Sequence, residues 1–161
     1  MNNINLRAVS DTDAEFLCTV MNTDTILKAL NELPTQLADW VDAINAWRSD
    51  DDEEDYIIVS SETPIGWIGI NGLSSTEKTA YLKLIAILPN YHNKGIGHHA
   101  INQVVEMLRQ RGYSKMVLYI DRDNHKAQAC YSKCGFEITD TLMEKMSNGR
   151  LVDRCKMVLT I

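Results

Sequence analysis

Between Ala80 and Arg111 the chain changes its hydrophobic period once, and that change narrows the folds open to it. Ala80 to Leu88 is an apolar-rich run that reads as a long, mostly buried strand, closed by Pro89. Gly95 and Gly97 follow in a short loop. From about Gly97 to Arg111 the apolar residues Ala100, Ile101, Val104, Val105 and Leu108 recur at helical spacing, and Gly112 is the stop. Met116 to Ile120 is a strand, Asn124 to Lys133 a helix stopped by Gly135, and Phe136 to Leu142 a strand. Strands separated by helices in this way require some parallel pairing.

The flanks ask for the opposite. Tyr56-Ile57-Ile58-Val59 and Ile65 to Ile70 are β-rich runs joined through Glu62-Thr63-Pro64, and Ser147-Asn148-Gly149 is a hairpin turn before a last strand, Leu151 to Leu159. Ahead of them, Ser10 or Asp11 caps a helix reaching Met21. Pro34-Thr35 opens a second, with Leu37, Trp40, Val41, Ile44 and Trp47 on one face. The order is ααβββαβαββ. It predicts an α/β (α+β) fold with a mixed, mostly antiparallel central sheet and helices on both faces.

At 161 residues the chain has room for one domain, and its 45% apolar content can build a core. The net charge of −6 comes from one place, because Asp50, Asp51, Asp52, Glu53, Glu54 and Asp55 stand together and the remaining acids and bases balance. That run is expected to be a solvated loop of like charge. With no basic face, nucleic-acid binding is not expected. The first residues, Met1 to Arg7, show neither the basic nor the apolar region of a secretion signal, and no apolar stretch is long enough to span a membrane, so a cytoplasmic protein without membrane association is expected. Cys130 and Cys134 are four apart and share a helical face. No second His or Cys pair stands at zinc spacing, however, so Cys18, Cys130, Cys134 and Cys155 are expected to be buried reduced thiols and no metal is expected.

The segment His92-Asn93-Lys94-Gly95-Ile96-Gly97-His98 carries the chemistry. Glycines remove side chains where the backbone must turn and where an anion must come close. Unpaired N–H groups from about Asn93 to His98 can then converge on a phosphate at a helix N-terminus, with Lys94 adding charge. No GK[ST] follows, which excludes a Walker A loop. Ala100 stands where a dinucleotide fingerprint needs its third glycine.

A second motif, Asn124-His125-Lys126-Ala127-Gln128-Ala129-Cys130-Tyr131-Ser132-Lys133-Cys134-Gly135-Phe136, completes the pattern. Together the two segments strongly resemble the GNAT N-acetyltransferase superfamily. Its acetyl-CoA loop reads Q/R-x-x-G-x-G/A, and its later helix reads N-x-x-A-x-x-x-Y-x-x-x-G-F. The likeness covers about Ile65 to Val158. It implies one domain over 1–161, with a variable helical arm at 1–49, a cofactor-binding core at 56–142 and a terminal hairpin strand at 143–161. It implies acetyl-CoA as co-substrate, held by the backbone of Ile85, Ala86 and Ile87 where two parallel strands splay, by His92, Asn93, Lys94, Gly95, Ile96, Gly97 and His98 at the pyrophosphate, and by Asn124. It also implies that Tyr131 protonates the departing thiolate. A phenol of pKa about 10 can give its proton to a thiolate of pKa about 8.5 as that anion forms. His92 departs from the family's Gln/Arg, and an imidazole there can still cap a backbone group.

The resemblance implies N-acetyl transfer to a primary amine of a small molecule or a protein. The alternative is a catalytically weak or inactive CoA-binding sensor or assembly module. Relatives carry a carboxylate base where this chain has Tyr81, Lys83 and Tyr119, which leaves Glu77, Asp121 or Asp153 acting through water, or solvent itself. Trp40, Trp47 and Trp67 are expected in the core. A monomer or a homodimer is expected.

Overall fold

The computed structural model describes residues 3–161. Met1 and Asn2, part of the stretch searched for a secretion signal, lie outside it. One seven-stranded sheet carries the fold, in the order β1-β2-β3-β4-β5-β7-β6. The strands are β1 (Ile4–Ala8), β2 (Glu54–Ser60), β3 (Thr63–Asn71), β4 (Thr79–Ile87), β5 (Lys115–Asp121), β6 (Glu137–Lys145) and β7 (Leu151–Thr160). All neighbours pair antiparallel except β4 and β5. The helices are α1 (Ala14–Met21), α2 (Asp24–Leu30), α3 (Leu37–Arg48), α4 (Ile96–Gln110) and α5 (His125–Lys133). The mixed sheet with helices on both faces is as expected.

The order gains two elements over the expected one, β1 and α2. Ile4 points inward and Asn5 outward, but five residues are too few for a clear period, and α2 spans only seven. Pairing to β2 makes β1 a strand. The Arg7 guanidinium then binds both Asp13 carboxylate oxygens at 2.8 Å and ties β1 to the start of α1. Burial opposes the Asp13 charge, yet Arg7 and the Ser10 N–H outweigh it and hold that carboxyl below its usual range.

Strand alternation sends neighbouring residues to opposite cores. Ile58 and Ile68 face α4 and α5, where Ala100, Ile101, Val104 and Leu108 are fully buried or nearly so. Ile57 and Trp67 face α1, α2 and α3. On α3 the buried residues are Trp40 and Ile44, while Leu37 and Val41 are exposed, contrary to the five-residue face read from spacing. A helix lying on the sheet by one narrow stripe covers only the residues nearest Trp67. The ring centroids of Trp40 and Trp47 each stand 5.4 Å from that of Trp67.

Gly135 ends α5 with φ +100°, and a Cβ there would come within 3.0 Å of Leu159 Cδ1. Gly135→Ala combines a left-handed backbone with this contact, and is expected to lower unfolding free energy by about 2 kcal/mol in urea denaturation.

Candidate active site

β4 ends at Ile87, a short 3-10 turn crosses Pro89–Tyr91, and α4 begins at Ile96. Asn93 (φ +60°) and Gly95 (φ +73°) turn the chain between them. Among the described residues, no acceptor takes the backbone N–H of Asn93, Lys94, Gly95, Ile96, Gly97 or His98; the first helical bond runs from the His99 N–H to the Gly95 carbonyl. Six consecutive donors at the positive end of a fifteen-residue helix form a site for an anion. A Cβ on Gly97 would meet nothing closer than 3.7 Å, so no packing contact demands glycine there. The Lys94 ammonium lies 5.6 Å from the Tyr91 ring centroid beside the loop. His92 Nε2 donates to the Ile87 carbonyl at 2.6 Å, so its imidazole caps the end of β4.

β4 and β5 pair only from Thr79–Tyr81 to Lys115–Val117 and then part. Beyond that point β4 keeps its ladder to β3 on one side alone. The Leu88 N–H donates to the Ile65 carbonyl at 2.9 Å, and the alternation of an antiparallel ladder then turns the polar groups of Ala86 toward β3. Those of Ile85 and Ile87 face the gap. Of the three residues expected to offer backbone to a ligand, Ala86 is therefore engaged in the sheet, and the Ile87 carbonyl is engaged by His92.

A cleft of about 560 Å3 opens where the strands separate, lined on this side by Ile85, Tyr81 and Tyr119 and reached by Tyr131 from α5. Tyr131 is buried, with its ring 6.0 Å from Phe136. Among the described residues its hydroxyl takes no hydrogen-bond partner. Burial raises its pKa well above the usual phenol value, Cys130 and Cys134 push it the same way, and the Arg154 charge opposes them. The phenol is thus held protonated at neutral pH. Asn124 caps α5, its Oδ1 accepting from the Ala127 N–H at 3.1 Å, two turns before Tyr131 on the same helix.

The far wall of the cleft comes from residues that no motif marked: Glu32 after α2, Glu144 on β6 and Arg154 on β7. Arg154 donates to the Tyr119 carbonyl at 2.8 Å and lies 3.7 Å from Asp121 and 3.6 Å from Glu144. Of the three bases considered from sequence, Asp121 alone lines the cleft, and Asn31 Nδ2 donates to it at 2.7 Å. Asp153 pairs with Arg122 instead.

The acidic run is not the solvated loop expected. Asp52 accepts from Gly72 and Ser74 at the β3–β4 connection, and Glu54 and Asp55 already belong to β2. The Asp55 side chain is 2% exposed and accepts from Trp67 Nε1 at 2.9 Å. Lys83 reaches Glu53 and Asp55 and lies over the Trp47 and Trp67 rings, at 4.7 and 5.1 Å. Alternation in β2 is what draws one acid of the run inward, beneath the tryptophans.

Burial pushes Asp55 up to about 7, with the Trp67 N–H opposing, and pushes Lys83 down to about 8. A carboxyl whose native pKa exceeds its unfolded value of about 4 favours folding least once it ionises, so its contribution falls as pH rises from about 4 to about 7. Asp55→Asn keeps an acceptor for Trp67 and cannot titrate. Relative to the parent protein, D55N is expected to gain about 2 kcal/mol in urea unfolding between about pH 5 and pH 8. Parallel stability curves would show a carboxylate ionised across that range.

The splayed sheet, the glycine loop and the tyrosine in the gap form one continuous candidate site. The profile of the Acetyltransferase (GNAT) family matches residues 22–136, and the chain belongs to that family. A spermidine N(1)-acetyltransferase from Vibrio cholerae is 24% identical over 160 residues, covering 97% of this chain and 92% of its own. A mycothiol acetyltransferase from Beutenbergia cavernae is 24% identical over 97 residues, and the chain spans only 30% of that relative's length. Among solved structures, the Vibrio cholerae spermidine N-acetyltransferase in complex with CoA and spermine superposes with a TM-score of 0.88 at 24% identity, over 98% of this chain and 95% of the other. The microcin C7 self-immunity acetyltransferase in complex with acetyl-CoA and AMP gives 0.87 at 24% identity, over 98% and 92%. These likenesses show the fold. No helix among the described residues is long and apolar enough to cross a membrane.

Proposed function

We propose that this protein is an N-acetyltransferase that moves an acetyl group from acetyl-CoA to a primary amine by direct attack. The observation that carries the reading is the row of six unpartnered N–H groups beside a strand gap reached by a buried tyrosine whose hydroxyl has no partner among the described residues. Asn93 to His98 hold the pyrophosphate, and Ile85 offers backbone groups to the pantetheine arm. Asn124, its Oδ1 committed to Ala127, offers its amide N–H. Tyr131 donates its proton to the departing thiolate. His92 supports the loop from beneath.

The acceptor side is the face covered by α1, α2 and α3, and residues 1–49 shape it. Glu32 and Glu144 stand at its mouth, which suits a small amine carrying more than one positive charge. Spermidine, named for the Vibrio cholerae relatives, is the first acceptor to test. An amine of pKa near 10 is about one part in a thousand neutral at pH 7, so a proton acceptor in the mouth raises the reactive fraction.

Thermal unfolding with acetyl-CoA, CoA, ATP and NAD tests the co-substrate. Ligand at a hundred times its Kd stabilises by about 2.7 kcal/mol, a shift of several degrees. A shift with acetyl-CoA and CoA alone is expected. No shift with either at millimolar ligand would overturn the reading. Thiol release with spermidine, a lysine peptide and an aminoglycoside then ranks acceptors, and tight acetyl-CoA binding without release across the panel would favour a non-catalytic CoA sensor.

A further inference from the structure

Lys83 stands in the cleft wall on β4, and its ammonium donates to Asp55 Oδ1 at 3.2 Å, with Glu53 as a second partner. Neither acid lines the cleft. Both line a second cavity, of about 430 Å3, between the start of β2 and the end of α3. Asp11 and Arg48, both exposed, pair at its rim, so it opens to solvent. The partition between the two spaces is a tryptophan pair. Trp67 lines the cleft, Trp47 lines the second cavity, and Lys83 lies over both rings. Asp55 Oδ2 is buried and has no hydrogen-bond partner among the described residues. A carboxylate oxygen enclosed without a donor weakens the fold, which asks for a role other than packing. The acids of the cleft itself are placed differently: Glu32 and Glu144 stand at its mouth, and Asp121 has Asn31 on one oxygen and Arg154 beside the other. No cysteine lines either space; Cys155 is buried, while Cys18, Cys130 and Cys134 are half-buried and not buried as expected.

We propose that Lys83 and Asp55 carry the proton of the attacking amine out of the cleft and into the second cavity. An N–H bond of the bound ammonium breaks, and its proton passes to Lys83 Nζ as Lys83 gives one of its own to Asp55 Oδ1. An O–H bond forms on Asp55, Lys83 ends as the ammonium it began as, and the substrate nitrogen keeps the electron pair that attacks the thioester. Asp55 then releases the proton to water in the second cavity and returns to carboxylate. Burial favours this direction, because a carboxyl raised to about 7 lies nearer to an amine of pKa about 10 than an ordinary one of about 4 does. The charged groups around Asp55 are Lys83 from β4, Asp50, Glu53 and Glu54 from its own run, and Asp11 and Arg48 across the second cavity; β3 presents the neutral Trp67 indole. The route rests on the acetyl-transfer reading above.

The test follows kcat and KM from about pH 6.5 to about pH 9.5 with saturating acetyl-CoA and the amine that thiol release ranks first. It compares the parent protein with Asp55→Asn, Lys83→Met and the double variant. At pH 7, D55N is expected to turn over about a hundredfold more slowly, with KM within about twofold. The parent rate should level off above about pH 7, once Asp55 is ionised. The D55N rate should keep climbing, because the amine goes from about one part in a thousand neutral at pH 7 to about one part in ten at pH 9 and then needs no acceptor. Its deficit therefore narrows with pH, which a merely structural role would not produce. The double variant should be no slower than either single one, since both cut one path. D55N keeps the acceptor for Trp67 and decides the matter even if Lys83→Met folds poorly. A D55N rate within about twofold of the parent at pH 7, or a deficit equal at every pH, would overturn the route and leave acetyl transfer standing. No thiol release by the parent with any amine would overturn acetyl transfer itself, and the route with it.

Discussion

Tyr131→Phe is expected to lower turnover by about a hundredfold or more while leaving acetyl-CoA affinity within about twofold. The ring is buried against Phe136, and the hydroxyl takes no partner among the described residues, so its loss removes no internal hydrogen bond. Stability should hold, because the phenylalanine ring fills the same volume. What disappears is a proton donor held in its acid form by burial, at the place where a thiolate would leave. Steady-state kinetics with a saturating amine, alongside calorimetric titration, separate the two effects. Unchanged turnover would remove Tyr131 from the reaction. A parallel loss of affinity would assign it to binding.

Gly97→Asp should act on the other half of the site. The backbone there needs no glycine, and a Cβ has room against Cys130 and Ile87. An aspartate in the first turn of α4 also suits the helix dipole, so Tm should stay within about 3 °C. The new carboxylate would sit among the N–H donors and compete for them with the pyrophosphate. Acetyl-CoA affinity should fall about a hundredfold, and Gly97→Ala should lose much less. An aspartate variant that binds as tightly as the parent would place the phosphates elsewhere.

Sequence and structure agree best where a single element carries both the pattern and the function. The loop between β4 and α4 announces itself through glycine spacing and a change of hydrophobic period, and α4 buries the five residues its period predicts. Other features depend on contacts between distant segments. β1 is a strand because β2 lies beside it, and α2 is a single short stretch between two stronger helices. The acidic run misleads for a similar reason: composition counts six like charges, whereas strand alternation buries Asp55 and a tryptophan indole holds it. Ala86 falls between Ile85 and Ile87 in any motif, yet the ladder to β3 turns its polar groups the other way. The far wall of the cleft is the least legible part. Glu32, Glu144 and Arg154 come from the loop after α2 and from β6 and β7, none with a signature, and only the fold brings them together.

At the tip of the β6–β7 hairpin the Asn148 N–H donates to the Asn31 carbonyl at 3.2 Å, and Arg150 reaches the Asn31 side chain at 3.3 Å. The cleft on that side is thus closed by polar bonds from the hairpin tip to Asn31, which is itself buried. The glycine loop opposite is anchored differently, by a strand and a helix rooted in the apolar core. A change at Asn31 or Arg150 would therefore loosen the hairpin side of the cleft and leave the loop side as it is.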